Sequence, residues 1–163
     1  MLQETFDSLL QAILAACKYH YGKRLVSLAV FGSVARRTPR PDSDIDLLLV
    51  VENLPDGRIP RVREFDAIEA EVDPLVRAAA KQGVHTRLSP VFKTPAELQL
   101  GSPLLLDMVE DARLLFDHDD TLAKRLQRLR ERLRELGARR IRKGGGYYWQ
   151  LKPDFKPGDV IRL

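Results

Sequence analysis

The chain has 163 residues, of which 44% are hydrophobic and 31% charged, with a formal charge of +4; this fits one folded unit with room for an appendage and excludes a disordered or membrane-embedded chain. No apolar run reaches bilayer length and the N-terminus lacks the basic-then-apolar layout of a signal peptide, so a cytoplasmic location is expected, with no membrane partner. The single cysteine, Cys17, excludes an internal disulfide and a cysteine zinc site, and is expected to fill core space on a helix.

From Leu2 to Tyr21, the residues Phe6, Leu9, Leu10, Ile13, Leu14 and Cys17 recur at helical spacing, and Gly22 is placed to end the helix. His20, near that end, reads as a surface residue. An apolar strand follows over Leu25–Phe31. Gly32-Ser33 then offers a tight turn that a ligand can approach closely, with amides and a hydroxyl able to face a phosphate. A basic spacer holds Arg36, Arg37 and Arg40, and Pro39 and Pro41 keep it from becoming helix. Next come Asp44 and Asp46, two residues apart at the mouth of a second apolar strand that ends at Val51. Strand alternation sends both carboxylates to one face together with Leu48 and Val50, while Ile45, Leu47 and Leu49 line the other. A strand apolar on both faces is central in its sheet. Two carboxylates at its mouth repel each other unless a cation sits between them, and hard oxygen ligands of this kind suit Mg²⁺ that brings substrate phosphates with it.

Glu52 to Pro60 reads as an exposed turn. A helix over Arg61–Gln82 is expected to turn Val62, Phe65, Ile68, Val72, Leu75, Val76 and Ala79 inward, with Asp73-Pro74 as an alternative restart. A strand fits Val84–Phe92. Thr94-Pro95-Ala96-Glu97 has the pattern of a capping box, and Ser102-Pro103 opens a short helix over Leu104–Glu110, before a last strand over Ala112–Phe116. Asp117-His118-Asp119-Asp120 imitates a metal cluster but reads as the cap of a helix beginning near Thr121.

That helix carries Leu122, Leu126, Leu129, Leu133 and Leu136 as a seam of two heptads, short for a free coiled coil and therefore expected to pack on the body or across a homodimer. Lys124 to Lys143 holds ten Lys and Arg against two Glu and is read as one strongly basic helix. Its arginines allow nucleic-acid contact, but with no aromatic-basic motif beside them this reading is not the favoured one. After Gly144-Gly145-Gly146 the tail contains Tyr147, Tyr148, Trp149 and Phe155, too aromatic for a free disordered end. It reads as a hairpin or extended arm docked on the body, a second subunit or a partner, its tyrosines packing groups with a nucleotidylated hydroxyl at Tyr147 or Tyr148 as the alternative.

Phe31-Gly32-Ser33, a ten-residue spacer and Asp44-Ile45-Asp46-Leu47 resemble the signature of the DNA polymerase beta-like nucleotidyltransferase superfamily. Gly32-Ser33-Val34-Ala35-Arg36 with Ser43-Asp44-Ile45-Asp46-Leu47 is closer still to its minimal nucleotidyltransferase (MNT) branch, whose members include antitoxins paired with HEPN-domain toxins. Arg37 stands where that family usually has glycine. The resemblance implies an α+β nucleotidyltransferase fold, a mixed β-sheet flanked by helices, over residues 1–118, with residues 119–163 adding a C-terminal Leu/Arg-rich helix and an aromatic docking tail. It also implies transfer of a nucleoside monophosphate, AMP above all, from ATP or another NTP to a hydroxyl. Gly32, Ser33, Arg36 and Ser43 would bind the nucleotide, and Asp44 and Asp46 would be catalytic and hold Mg²⁺. The acceptor would be a small molecule or a protein tyrosine, with a HEPN-domain protein as partner. The alternative is a weak or inactive binding protein of the same fold.

One part of the family pattern is missing. Active members of the family this chain resembles usually carry a third carboxylate on the strand matching Val84–Phe92, yet no Asp or Glu stands between Asp73 and Glu97. His85 and Ser89 are the polar residues available there, and Glu97 has its capping role. Without that acid, acceptor activation would lose a factor of about 10² to 10⁴.

Overall fold

The computed structural model describes residues 1–144 and 146–163. Gly145, in the glycine run that separates helix from tail, lies outside the described residues.

Helix α1 (Leu2–Tyr21) turns Phe6, Leu9, Leu10, Ile13 and Cys17 inward and ends at Gly22, whose φ of 58° suits glycine. Burial pushes the Cys17 thiol up to about 12, so it fills space and stays protonated. Strand β1 (Leu25–Phe31) is buried along its whole length and lies at the middle of a four-stranded sheet ordered β3-β2-β1-β4. It pairs antiparallel with β2 (Ile45–Val51) and with β4 (Arg113–Asp117), while β2 pairs parallel with β3 (Leu88–Lys93), so the sheet is mixed.

The alternation expected along β2 is observed. Ile45, Leu47 and Leu49 join the core under α1 and α3 (Arg58–Lys81), and Leu48 and Val50 join a second core on the opposite face. That second core is closed by α4 (Pro95–Leu100), α5 (Leu104–Met108) and α6 (Thr121–Leu136). Leu122, Leu126, Leu129 and Leu133 of α6 are all buried there with Val26, Ala29 and Phe31 of β1. The leucine seam is thus taken up within the chain, each side chain contributing about 1.5–3 kcal/mol by burial.

Several boundaries differ from the sequence reading. Helix α3 starts at Arg58, inside the expected turn, because Pro60 sits in the first helical turn where its missing N–H costs nothing. It then runs unbroken through Pro74, so Asp73-Pro74 does not restart it. Leu75, expected inside, is 48% exposed. Strand β3 begins only at Leu88, since Val84–Arg87 is spent in a connection where the His85 amide donates to the Pro41 carbonyl at 2.7 Å. The segment read as one basic helix is broken at Gly137 (φ 71°), and Arg139–Lys143 forms β5, which pairs antiparallel with β6 (Gly146–Gln150) in a separate hairpin. No described helix is long and apolar enough to cross a membrane.

The arginines of α6 act largely as internal staples. Arg125, 3% exposed, donates to the carbonyls of Leu98 and Leu163, Arg130 to that of Val109, and Arg132 to that of Arg162. A guanidinium used this way satisfies carbonyls left over at helix ends and in the C-terminal segment. Asp117 caps α6 as the acidic cluster suggested, accepting from the amides of Leu122 and Ala123 at 2.9 and 2.8 Å. His118 lies on the surface against Asp119, and His20 lies on the surface near Glu71.

Candidate active site

The C-terminal end of β1 and the N-terminal end of β2 lie side by side, with Phe31 paired to Asp46. The residues after Phe31 form a single helical turn, α2 (Gly32–Ala35), where the sequence suggested a plain turn. Gly32 has φ +74°, and a Cβ added there would fall inside contact distance of Asp46 Oδ2. Glycine is required at this position for two separate reasons, the left-handed backbone and the close carboxylate.

Ser43 is buried and ties the loop together: Ser33 Oγ donates to Ser43 Oγ at 3.1 Å, and the Arg40 amide does so at 2.8 Å. Thr86 Oγ1 donates to the Ser43 carbonyl at 2.6 Å. Ser43 therefore positions Ser33 and the basic spacer. Arg37, where the resembling family has glycine, takes φ +60°, the backbone state that glycine adopts most easily.

Asp44 precedes β2 and is partly exposed, 4.0 Å from Arg87. Asp46 is half-buried. Desolvation raises its carboxyl above the ordinary value, neighbouring Asp44 raises it further, Arg36 opposes the rise and Asp107 adds to it. A carboxylate destabilised in this way is a ready ligand for a divalent cation, which removes both penalties at once. The glycine cradle and the two hard oxygen donors therefore fit Mg²⁺ arriving with a polyphosphate. Among the described residues no group of three His, Cys, Asp or Glu side chains could hold a metal ion.

An open cleft of about 1080 Å³ begins at this point. Of the residues singled out in the sequence, Gly32, Arg36 and Asp46 line it; Ser33, Ser43 and Asp44 border the same turn and strand end but are not part of its wall. Of the opposite wall, only Tyr147 was singled out in the sequence, as the alternative reading of a packing tyrosine. This wall consists of Asp107 from α5, Glu110 and Asp111 just after it, and Arg139, Arg140, Arg142 and Tyr147 from the hairpin. Arg140 bonds Glu110 and Asp111 at 2.7 Å each, Arg36 approaches Asp111 at 3.7 Å, and Trp149 Nε1 donates to the Leu106 carbonyl at 3.1 Å. A basic run before the glycines and an aromatic run after them were the sequence signal for this wall.

Ser89 is the register partner of Asp46 on β3, so a serine occupies the strand position beside the acids. Glu97 is engaged elsewhere: it closes the capping box with Thr94 and pairs with the buried Arg61 at 2.8 Å. His85 does not line the cleft.

The nucleotidyltransferase domain model matches residues 10–112, which spans β1, the glycine turn, both aspartates and Asp107. The chain belongs to the nucleotidyltransferase domain family. It is an enzyme of nucleotidyl transfer. A Methanocaldococcus jannaschii protein, provisionally named protein adenylyltransferase MJ1305, is 30% identical over 132 residues, covering 80% of this chain and 84% of its own. The crystal structure of spectinomycin adenyltransferase AAD(9) from Enterococcus faecialis, with ATP and spectinomycin, matches this nucleotidyltransferase with a TM-score of 0.56 at 11% identity. It covers 79% of this chain and 66% of its own and shows the same fold. A toxin-antitoxin structure with AMP-PNP matches at a TM-score of 0.45 and 17% identity, over 78% of this chain and 91% of its own.

Proposed function

We propose that this nucleotidyltransferase moves AMP from ATP to a hydroxyl acceptor and releases pyrophosphate. The observation that carries this is the Gly32–Asp46 cradle: a glycine held at φ +74° against a half-buried carboxylate whose proton affinity is raised by burial first and by neighbouring Asp44 next. Gly32 lets the polyphosphate approach the backbone, with Ser33 held beside it by Ser43. Asp44 and Asp46 would hold Mg²⁺, which supplies charge neutralisation to the transferring phosphoryl group when bound. Arg36 at the cleft wall offsets negative charge on the phosphates, and Arg139 and Arg142 add positive charge from the opposite side. Positioning and charge stabilisation supply most of the acceleration in displacements at phosphorus.

The choice of AMP is supported by the adenylyltransferase names of the similar proteins. A protein hydroxyl, such as a tyrosine of a HEPN-domain toxin, is the acceptor favoured by the MNT resemblance and by the name of the Methanocaldococcus relative. Titration calorimetry with Mg-ATP, followed by incubation with α-phosphate-labelled ATP and candidate acceptors, tests the reading. Binding lost in Asp46→Asn and label transferred only by the unsubstituted enzyme are expected. Unchanged nucleotide affinity in that variant removes the proposal.

A further inference from the structure

The cleft contains a hydroxyl of the chain's own. Tyr147 lies on β6 opposite Arg142, and strand alternation turns Tyr147 and Trp149 toward the body while Tyr148 faces away and is 49% exposed. Trp149 anchors the strand to the Leu106 carbonyl at 3.1 Å. At the adjoining residue of α5, Asp107 Oδ1 accepts a hydrogen bond from the Tyr147 hydroxyl at 3.2 Å. The ring is held from one side by the Arg140 guanidinium, 3.6 Å from its centroid, and Arg140 is itself fixed by two carboxylates. Tyr147 therefore shares the cleft with Gly32, Arg36 and Asp46, with a carboxylate placed on its proton.

We propose that Tyr147 is a nucleotide acceptor in cis and that Asp107 is its general base, the role left vacant by Ser89 on β3. This rests on the adenylyl-transfer reading above. The Tyr147 hydroxyl oxygen forms a bond to the α-phosphorus of ATP, the bond from that phosphorus to the bridging oxygen breaks, and pyrophosphate leaves with the electron pair. The hydroxyl proton passes to the Asp107 carboxylate, giving an O-adenylyl tyrosine with no change in oxidation state. A base is needed because burial, Asp107 and their hydrogen bond hold the phenol above its ordinary value, outweighing Arg140 and Arg36, so the tyrosine is not an anion at neutral pH. The aim of the strand supplies the selectivity, since Tyr148, one residue on, points to the other face.

The test uses the full chain, treated with phosphodiesterase to remove any adenylate acquired during expression, then incubated with Mg-ATP and followed by intact-mass and peptide mass spectrometry. One AMP is expected on the peptide holding Tyr147, absent in Tyr147→Phe and retained in Tyr148→Phe, at a rate independent of protein concentration. Asp107→Asn is expected to slow the modification about 10²-fold or more. Calorimetry on Tyr148→Phe, whose side chain faces away from the cleft, is expected to give the unsubstituted affinity for Mg-ATP. Binding without adenylate on Tyr147, adenylate that persists in Tyr147→Phe, or a rate that rises with protein concentration overturns the cis acceptor and leaves the adenylyl-transfer reading intact. Absence of Mg-ATP binding overturns both.

Discussion

Gly32→Ala separates the structural cost of the cradle from its functional cost. An alanine at φ +74° occupies the left-handed region, worth about 1–2 kcal/mol of strain. Its Cβ also meets Asp46 Oδ2, the far end of a short side chain, which relieves the clash by leaving its rotamer for about 0.5–1.5 kcal/mol more. The total is about 1.5–3.5 kcal/mol, or a fall of about 3–14 °C in melting temperature. Gly137→Ala is the control, because Gly137 is left-handed at φ +71° and an added Cβ there makes only ordinary contact with Pro153, so the backbone strain stands alone. The displaced carboxylate matters more for chemistry, where an error of about 1 Å costs about 10² in rate. Thermal unfolding of Gly32→Ala, Gly137→Ala, Asp46→Ala and the Gly32→Ala/Asp46→Ala double variant, alongside label transfer from ATP, gives all the terms. With Asp46 truncated, the excess cost at Gly32 over Gly137 is expected to vanish. Transfer within threefold of the unsubstituted enzyme in Gly32→Ala, or an excess cost that survives truncation of Asp46, would refute the reasoning.

Four further outcomes follow from the structure. Asp46→Asn removes a carboxylate whose folded proton affinity is raised, a penalty present above the raised value and lost as pH falls through it; the variant is expected to melt about 1–2 °C higher at neutral pH, with no advantage in acid and no stabilisation by Mg-ATP. Glu97→Gln acts in the opposite sense, because Arg61 and Thr94 lower the Glu97 carboxyl below its ordinary 4.5; a small deficit, screened by solvent at this partly exposed carboxylate, is expected above that pH, shrinking as pH falls through the lowered value, with adenylyl transfer unchanged. A loss of transfer in Glu97→Gln would instead give it the missing acid's role. Arg140→Ala is expected to speed amide exchange in β5 and β6 while leaving the four-stranded sheet protected; uniform exchange rates would mean that its pairs with Glu110 and Asp111 do not hold the hairpin. Arg37→Gly relieves a φ of +60° and is expected to raise the melting temperature slightly, measured by the same thermal scans, whereas a clear fall would assign the Arg37 side chain a stabilising contact.

Much of the first half of the site was legible because it is local in sequence. Phe31 through Asp46 supplies a strand end, a glycine turn and a strand start, and period-two alternation alone decides that Asp46 shares a face with Leu48 and Val50. Boundaries were less legible where tertiary contacts outweigh local signals, as in α3, whose packed face carries the helix through Pro74, and at Arg139–Lys143, whose basic composition reads as helix until hairpin pairing makes it strand.

What the amino-acid order determined by itself was the central strand pair, the conformational demand at Gly32 and the pairing of two acids at a buried strand mouth, all consequences of neighbours along the chain. The far wall of the cleft was decided only by the tertiary structure. Asp107 and Tyr147 stand forty residues apart, and nothing in either local pattern brings them together. Their meeting depends on α6 packing its leucines under the sheet and on Trp149 and Arg140 seating the hairpin beside α5. Burial of apolar surface selects that arrangement, and it carries no periodicity that a sequence window can detect.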